Sequence, residues 1–473
     1  MFRSTFFGLE LGKRGLLTNR SGTDVIGHNL ANSNRPEYSR QTPDIVASNP
    51  YTFPGINPVG YGQPGQLGTG TLVQSIYRSQ DELLARQIRT VVSRQSRLSV
   101  LDDCYAKMEG IFAEPSTEGI DQLLTDFFAT WHDLSLAPEE SANRTALRET
   151  ADTLVTEFHQ VNQNLVDQRV ELNDRLGDLV RKLNDLGTEL AQVNNRIMRI
   201  KGSGQNPNDL MDTRDDLIMQ ISELVETKVH IQDDESAIVS IGGRVFVQED
   251  EMRGLSLVAN DQNEGYWDLV YADLPTVLVP VATGQIPAIT EARDEVIPAF
   301  KEKVDALTAG IIEEVNTLHT QGYGLDGLNL RTFFDGTDAE TIELSQAIRT
   351  NHLAIAAAQT DEAPGDGRNA LAIAQLRMAL LPDLGDTTFE AYYRGAISDL
   401  GATADGVDRS LQGQAQLQTQ LETLHESETG VNTDEELVNL IRYEQGYAAA
   451  SRLITTVDET LDRLINATGR VGL

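Results

Sequence analysis

The sequence predicts a mainly α-helical, elongated, multi-domain molecule with a small inserted β domain and with its N- and C-terminal segments packed together as a coiled coil. Three observations predict this fold class. Apolar residues recur every three or four positions over residues 150–200, short β-branched runs fill residues 227–281, and strict apolar heptads occupy residues 440–464. A length of 473 residues allows roughly two to four domains.

The first helix is predicted over residues 4–33. Its apolar side is formed by Leu9, Leu16, Ile26 and Leu30. A run of Asn and Ser at residues 29–34 competes for backbone hydrogen bonds, and Pro36 disfavours helical geometry in the residue before it. The helix is therefore expected to end within this run.

An extended linker is predicted over residues 42–70, because Pro and Gly are frequent there. Residues 60–65 formally match the G-x-G-x-x-G pattern of dinucleotide-binding loops. No strand precedes them and no helix start follows them, so the linker interpretation is preferred. Residues 71–77 alternate like a short strand.

The longest helical pattern covers residues 150–200, and it contains one stutter, with two consecutive four-residue steps from Gln168 to Leu176. A helix of this length spans roughly 75 Å and is more typical of a rod-shaped assembly than of a compact enzyme. Further helices are predicted over residues 81–112, 119–134, 209–226, 290–320, 340–359, 369–381 and 388–426. Gly242-Gly243 predicts a tight hairpin within the β region.

The last helix gives the clearest pattern, with eight apolar positions at strict three- and four-residue spacing. They are Leu440, Tyr443, Tyr447, Ala450, Ile454, Val457, Leu461 and Leu464. Such a seam requires a partner, because a lone helix would expose the apolar stripe to water. The N-terminal helix is the expected partner within the chain.

Composition excludes several classes of protein. The formal net charge of −34 disfavours binding to nucleic acid or to an anionic membrane and is interpreted mainly as a solubilising surface. Cys104 is the single cysteine, so no intrachain disulfide is expected, and its apolar-periodic position favours a core residue over a reactive thiol. Neither a secretory signal peptide nor a transmembrane helix is predicted.

No catalytic, cofactor-binding or metal-binding residues are predicted. The seven histidines are scattered, and His28 is interpreted as a helix-end residue that bonds to backbone or to a neighbouring chain. Asp209, Asp212, Asp215 and Asp216 form an acidic cluster without the pattern of a calcium loop, so a solvated helix face is expected. No nucleophile motif occurs, and no enzyme activity is expected.

Two terminal motifs resemble those of the flagellar hook-associated protein 1 family, within the wider group of rod, hook and hook-associated axial proteins. The N-terminal motif is DVIGHNLAN at residues 24–32 with PEYSRQ at residues 36–41. The C-terminal motif comprises GVN at residues 430–432, EEL at 435–437, NLI at 439–441 and YEQ at 443–445. Weaker similarities lie between them, including DTRDDL at residues 212–217, RDEVIP at 293–298, and Asn316 with His319. Arg35-Pro36-Glu37 replaces the family's Thr-Pro-Gly, and the chain is short for the family.

The resemblance implies a structural subunit at the junction between hook and filament. It implies a homo-oligomer in the axial structure that contacts the hook protein and the second hook-associated junction protein, and export without a cleaved signal peptide. A cytoplasmic export chaperone is expected on the C-terminal helix. The expected assembly residues are the apolar positions of both terminal helices given above, together with Asn29, Asn32, Tyr38 and Arg40.

Three domains are predicted. Residues 1–65 with 428–473 would form the terminal coiled-coil domain, residues 66–226 with 291–427 a long-helix bundle, and residues 227–290 the β domain. Three alternatives remain open: a hook or rod protein, a surface protein with an enzymatic β insertion, and a cytosolic coiled-coil adaptor.

Overall fold

The chain is mainly α-helical throughout the part that the computed structural model describes, which is residues 6–50, 68–112 and 119–467. The α-helices there are α1 (Phe7–Asn32), α2 (Glu82–Phe112), α3 (Ile120–Leu136), α4 (Ser141–Gly202), α5 (Asn208–Leu224), α6 (Gln285–Glu291), α7 (Ile297–His319), α8 (Gln346–Thr350), α9 (Arg368–Gln375), α10 (Phe389–Thr429) and α11 (Thr433–Ala467). A π-helical turn, Ala292–Val296, joins α6 to α7.

The strands of the described residues are short and antiparallel. They are β1 (Gln41–Ala47), β2 (Thr71–Arg78), β3 (Thr227–Ile231), β4 (Ala237–Ile241), β5 (Arg244–Gln248), β6 (Glu251–Met252), β7 (Leu255–Ala259), β8 (Trp267–Tyr271), β9 (Leu274–Leu278), β10 (Phe334–Asp335) and β11 (Glu343–Leu344). They form one four-stranded sheet in the order β3-β4-β5-β6, one three-stranded sheet in the order β7-β8-β9, and two two-stranded ribbons, β1-β2 and β10-β11.

The predicted mainly α fold with a small β portion is confirmed. The predicted end of the first helix is also confirmed, because α1 stops at Asn32 and Ser33 closes the last turn by donating from its backbone to Leu30. Gly242 and Gly243 form the predicted turn between β4 and β5, both with positive φ. A left-handed backbone of this kind is most accessible to glycine.

Two segments differ from the prediction. Residues 42–47 were expected in a linker but belong to β1, which pairs with β2 from Gln41↔Arg78 to Ala47↔Thr71. Ile45 and Val46 supply strand-forming side chains despite Pro43. The G-x-G-x-x-G match at residues 60–65 lies outside the described residues.

The helix predicted over residues 340–359 is wrong for most of its length. The segment contains β11, the short helix α8 and irregular backbone. The Asp338 carboxylate accepts hydrogen bonds from the backbone N–H and the hydroxyl of Thr341, and Ser345 donates its backbone N–H to the carbonyl of Phe333. The bonds to Asp338 are local side-chain bonds that compete with helix formation, and the bond from Ser345 ties its backbone to a segment twelve residues away instead of to a helical turn.

The described residues divide into two compact units. The first lies within Met1–Val92, Leu183–Gly254 and Gln416–Leu473, and the second within Ser93–Lys182 and Leu255–Ala415. The chain passes between the units four times, within α2, α4 and α10 and between Gly254 and Leu255. The three domains proposed from the sequence, with boundaries near residues 65, 226, 290 and 427, stay a prediction.

In the first unit, the four-stranded sheet is attached to the end of α4. The Asn194 side chain donates to the carbonyl of Ala237 (2.9 Å) and accepts from its backbone N–H (3.0 Å). A small apolar cluster of the same unit joins α2, α5 and α10. Its members are Leu84, Ile88, Val92, Met219 and Leu421.

In the second unit, the core is built from aromatic side chains. Phe127 and Trp131 of α3 lie edge-on to each other and both contact Phe333 in the loop before β10. Edge-to-face contacts of this kind stabilise a core beyond simple apolar burial. The neighbouring imidazole of His319 completes the cluster.

Candidate assembly site at the paired terminal helices

The two terminal helices lie against each other along a row of glycines. A Cβ atom built on any of four glycines of α1 would lie only 2.6–3.3 Å from a side chain of α11. The facing pairs are Gly8 with Val457 (2.8 Å), Gly12 with Ile454 (2.6 Å), Gly15 with Ala450 (3.3 Å) and Gly22 with Tyr443 (2.6 Å). Partner numbers fall along α11 as they rise along α1, so the helices are antiparallel.

These glycines belong to a strict heptad face of α1. Its positions alternate by four and three residues and are Gly8, Gly12, Gly15, Asn19, Gly22, Ile26 and Asn29. Small residues at such positions allow two helix backbones to approach closely and leave notches for larger partners. On α11 the fillers of these notches are the predicted seam residues.

At the end of α1 the same face carries Asn29, which is 1% exposed. Its amide donates to the carbonyl of Gln41 (2.9 Å) and to Oε2 of Glu436 (3.1 Å). Its carbonyl oxygen accepts from the hydroxyl of Tyr38 (2.7 Å) and from the backbone N–H of Gln41 (3.0 Å). One side chain with all its donors and acceptors in use therefore ties α1, the following turn, β1 and α11 together.

Arg40 neutralises the buried carboxylate of Glu436. Its Nε lies 2.7 Å from Oε1 of Glu436, and its Nη2 lies 3.0 Å from Oε1 of Glu435. Burial acts to lower the pKa of Arg40, but the hydrogen bonds and charges of Glu435 and Glu436 outweigh it and raise the pKa above its usual value. Burial, together with nearby carboxylates including Glu436, also raises the pKa of Tyr38, which stays a hydrogen-bond donor.

A second buried ion pair anchors β2 to α5. Nη1 of Arg78 lies 2.8 Å from Oδ1 of Asp212, and its Nη2 lies 2.5 Å from Oδ2 of Asp215. The other oxygen of Asp212 accepts the backbone N–H of Ser39. Burial raises the pKa of Asp212 against the opposing effect of Arg78. The expected solvated acidic face is therefore wrong at Asp212, which is buried and fixes the strand ribbon to the helix.

His28 contacts α5 of its own chain. Its Nε2 lies 3.2 Å from Oδ1 of Asp209, its backbone carbonyl accepts the amide of Asn32 (3.0 Å), and its ring lies edge-on to Tyr38. These residues line a cavity of about 130 Å³. Among residues 6–50, 68–112 and 119–467, no three His, Cys, Asp or Glu side chains are arranged to hold a metal ion.

Several large apolar side chains of the terminal pair are exposed to solvent. Val438, Ile441 and Ile465 of α11 are 66%, 58% and 76% exposed. Val438 and Ile441 lie on the side of α11 that points away from Tyr443, since each helical residue turns the chain by about 100°. Leu17 of α1 and Leu437 of α11 are also exposed. Val438 and Ile441 are three residues apart and therefore neighbours on the surface of α11, and neighbouring exposed apolar side chains of this kind favour an interaction surface.

Proteins of the bacterial flagellum resemble this chain in sequence. Residues 105–334 match the model described as the helical domain of flagellar hook-associated protein FlgK. Flagellar hook-associated protein 1 of Bacillus subtilis is 25% identical over 503 residues, covering 98% of this chain and 99% of the relative. The protein of the same name from Salmonella typhimurium is 24% identical over 552 residues, covering 96% of this chain and 98% of the relative. Over nearly its whole length the chain is therefore similar to flagellar hook-associated protein 1.

Two further matches concern parts of the chain. Residues 426–467 match a model described as the C-terminal region of the flagellar basal body rod proteins FlgEFG. The solved structure of the flagellar hook junction protein FlgK from Burkholderia pseudomallei superposes with a TM-score of 0.66 at 16% identity, covering 72% of this chain and all of that one. At this identity the likeness shows a shared fold.

Sixteen assembly residues are expected from the apolar spacing of the terminal helices and from the family motifs, and most of them lie within the terminal pair. Ile26, Asn29 and Tyr38 are buried. Tyr447 and Leu464 are exposed. The others are partly buried: Leu9, Leu16, Leu30, Asn32, Arg40, Leu440, Tyr443, Ala450, Ile454, Val457 and Leu461. Their role in assembly stays a prediction.

The sequence indicates that Gly12 and Gly15 permit close helix approach, and Ile26 and Asn29 were predicted as assembly residues, but no glycine of α1 was among them. Leu9 and Leu16 were chosen for their size, whereas Gly8, Gly12 and Gly15 face the partner helix. The available signal was the four-and-three spacing of small residues. The buried Glu436 and the anchor Arg78 were also missed as site residues, although both lie close to the family motifs.

Proposed function

We propose that this chain is a structural subunit of the bacterial flagellum that forms the junction between hook and filament by self-assembly into the axial tube. Flagellar hook-associated proteins are parts of the extracellular flagellum, and the family is a structural class rather than an enzyme class. The observation that carries the proposal is the exposed apolar surface of the terminal pair, because a monomer would leave Val438, Ile441 and Ile465 in water.

The intersubunit surface is tested with Ile441→Asp. Ile441 is 58% exposed, so the charge should leave the monomer folded. In a strain that lacks its own junction protein, we expect the variant to be exported and to support no filaments in electron micrographs. The matched control is Thr153→Asp, the same charge at an exposed position of α4, which should preserve filaments. Normal filaments with Ile441→Asp would refute the proposed surface.

Ile454→Asp and Leu461→Asp test the seam itself. Ile454 fills the notch at Gly12, so a carboxylate there would be buried against α1. We expect both variants to separate the terminal helices and to abolish assembly. The second unit, which contains α3, should remain folded. Normal filaments, or an unchanged protease pattern at the chain ends, would contradict this role of the seam.

The proposed partners are further copies of this chain, the hook protein and the second hook-associated junction protein. We also propose export without a cleaved signal peptide and a cytoplasmic export chaperone that covers α11 before assembly. The exposed apolar residues of α11 support a covering partner. A culture-supernatant assay in a strain unable to build filaments should recover the intact chain, beginning with its first residue. A shortened N-terminus would refute this export route.

A hook or rod protein is the second candidate, and the match of residues 426–467 to rod proteins favours it. Labelled antibody separates the two. Label at the hook–filament boundary supports the junction protein, and label along the hook or within the basal body supports the alternative.

Among the described residues, no helix has the length and apolar character needed to cross a membrane.

A further inference from the structure

The seam between α1 and α11 repeats every seven residues on both helices. The notches Gly8, Gly15 and Gly22 are seven residues apart, and so are the fillers Tyr443, Ala450 and Val457. Sliding α11 by one heptad, roughly 10 Å, would again place an apolar side chain opposite a glycine. In one direction Gly15 would face Tyr443, and Gly8 would face Ala450. The apolar contacts alone therefore discriminate poorly between these registers.

Two contacts interrupt the repeat. The first joins Asn29 to Glu436 at 3.1 Å, at a point where both side chains are almost fully buried. The second contact is steric: the polar side chain of Asn19 fills a notch at Gly446, where an added Cβ would overlap its Oδ1, while its amide donates to the carbonyl of Gly15 in α1. In an antiparallel helix pair, contacts of the same register have residue numbers that add up to the same value. That value is 465 for both of these contacts, as it is for Gly15 with Ala450. We call these two contacts the polar rungs.

A one-heptad slide would break both polar rungs. Glu436 would face Gly22, which offers no side-chain donor, and its carboxylate would lose Asn29. A slide in the opposite direction would place Asn19 opposite Leu453 and Asn29 opposite Tyr443. Burial of an unpaired charge or amide is costly, whereas the apolar rungs exchange one filler for another. A single buried polar pair is known to fix register in coiled coils in this way.

We propose that the polar rungs Asn29–Glu436 and Asn19–Gly446 fix the register of the terminal helix pair. Arg40 is a positioning residue in this device, because its side chain holds the Glu436 carboxylate of α11. Its backbone N–H donates to the carbonyl of Thr429 at the end of α10, which fixes the chain at the start of β1 close to the beginning of α11. The inference concerns one chain and does not depend on the proposed function.

Disulfide trapping in the full-length chain, in a Cys104→Ala background, measures the register directly. Gly15→Cys with Ala450→Cys reports the observed register, since a Cβ built on Gly15 lies 3.3 Å from that of Ala450, close to the disulfide range. Gly8→Cys with Ala450→Cys reports the register shifted by one heptad. With the polar rungs intact, we expect the first pair to oxidise and the second to stay largely reduced.

Glu436→Leu with Asn19→Ala removes both polar rungs. We expect the ratio of shifted to native disulfide to rise by roughly tenfold or more, because the cost that excluded the shifted register is gone. Glu435→Leu is the matched control: it changes the next, exposed carboxylate, and the ratio should stay as in the parent.

An unchanged ratio in the double variant, with helix content preserved by circular dichroism, would overturn the proposal. An equal rise with Glu435→Leu would also overturn it, because any loss of charge near the start of α11 would then suffice. If the double variant loses its helix content, Glu436→Gln decides. This substitution preserves side-chain volume and removes the charge paired with Arg40, and it should raise the ratio by an intermediate amount, whereas no rise would refute the proposal.

Discussion

The glycine face of α1 yields a sharp prediction, because the same substitution has opposite effects at two positions of one helix. A Cβ built on Gly22 would lie 2.6–2.7 Å from three atoms of the Tyr443 ring. A Cβ built on Gly27 would meet nothing within 4 Å. Gly22→Ala is therefore a test of close helix approach, and Gly27→Ala is its matched control.

The expected magnitudes follow from two effects. In a helix interior, Gly→Ala stabilises by about 0.5–1 kcal/mol through lower backbone entropy in the unfolded chain, and both variants share this gain. Gly22→Ala must also displace the Tyr443 ring or move the helices apart, and overpacking of this kind costs about 1–3 kcal/mol. The free energy of local opening should therefore be lower in Gly22→Ala than in Gly27→Ala by about 1–3 kcal/mol.

Native-state hydrogen exchange, read by mass spectrometry on peptides of α1 and α11, measures this quantity without requiring the whole chain to unfold in one step. We expect faster exchange across both helices in Gly22→Ala and slower exchange in Gly27→Ala. Opening free energies that agree within about 0.5 kcal/mol would refute close packing at this notch. Slower hydrogen exchange in both variants would refute close packing more directly, because the higher helix propensity of alanine would then be the only effect of the substitution.

Three further predictions concern buried polar groups. His319 must be neutral, because its Nε2 accepts the backbone N–H of Ala356 and its Nδ1 donates to the carbonyl of Arg331, and burial lowers its pKa to about 4. The contribution of neutral His319 to the free energy of unfolding is full above pH 6.5 and is lost as the pH falls toward 4. Between pH 6.5 and pH 4, urea unfolding should therefore show that the wild type loses roughly 3 kcal/mol more stability than His319→Phe. Parallel pH profiles of the two proteins would contradict this. Arg144→Met removes donors to the carbonyls of Pro138 and Ile355 and should cost roughly 2–4 kcal/mol in thermal unfolding. Arg148→Met, at a partly buried residue whose guanidinium pairs with the exposed carboxylate of Glu149, should change stability by less than about 0.5 kcal/mol. Asp212→Ala leaves the buried Arg78 with one carboxylate and should destabilise the first unit by roughly 2–3 kcal/mol, and an equal effect of Asp216→Ala would show that the ion pair is not responsible.

Most of the helices could be predicted from the sequence because apolar spacing is a local property. The long helix α4, the helix α7 and the seam of α11 all follow from side chains three and four residues apart. The β region could be recognised from its β-branched runs and from the Gly242-Gly243 turn. Pairing of the two chain ends followed from one physical requirement, namely that the α11 stripe needs a partner.

The contact face of α1 could not be found by the same reasoning. A search for apolar periodicity weights large side chains and therefore selects Leu9 and Leu16. At Gly12 and Gly22 the side chains that fill the contact belong to α11, so in the sequence of α1 only the regular spacing of small residues indicates the contact face. Likewise, nothing local in residues 340–359 shows that Asp338 and Ser345 bond to backbone groups and end the helical pattern.

The motif residues that carry the family resemblance act mainly inside the chain. Asn29 satisfies Gln41 at the turn into β1, Asn316 accepts the backbone N–H groups of Phe333 and Phe334, and His319 joins two irregular segments. At each position a side chain supplies hydrogen bonds to backbone that has no helix or sheet partner of its own. Such positions tolerate few replacements, because the unpaired backbone group is buried with them. In the proposed assembly, contact with other subunits would instead use exposed apolar residues such as Val438 and Ile441. The motif residues Asn29, Asn316 and His319 therefore act by fixing the backbone of their own chain, and the proposed intersubunit surface lies on other residues of α11.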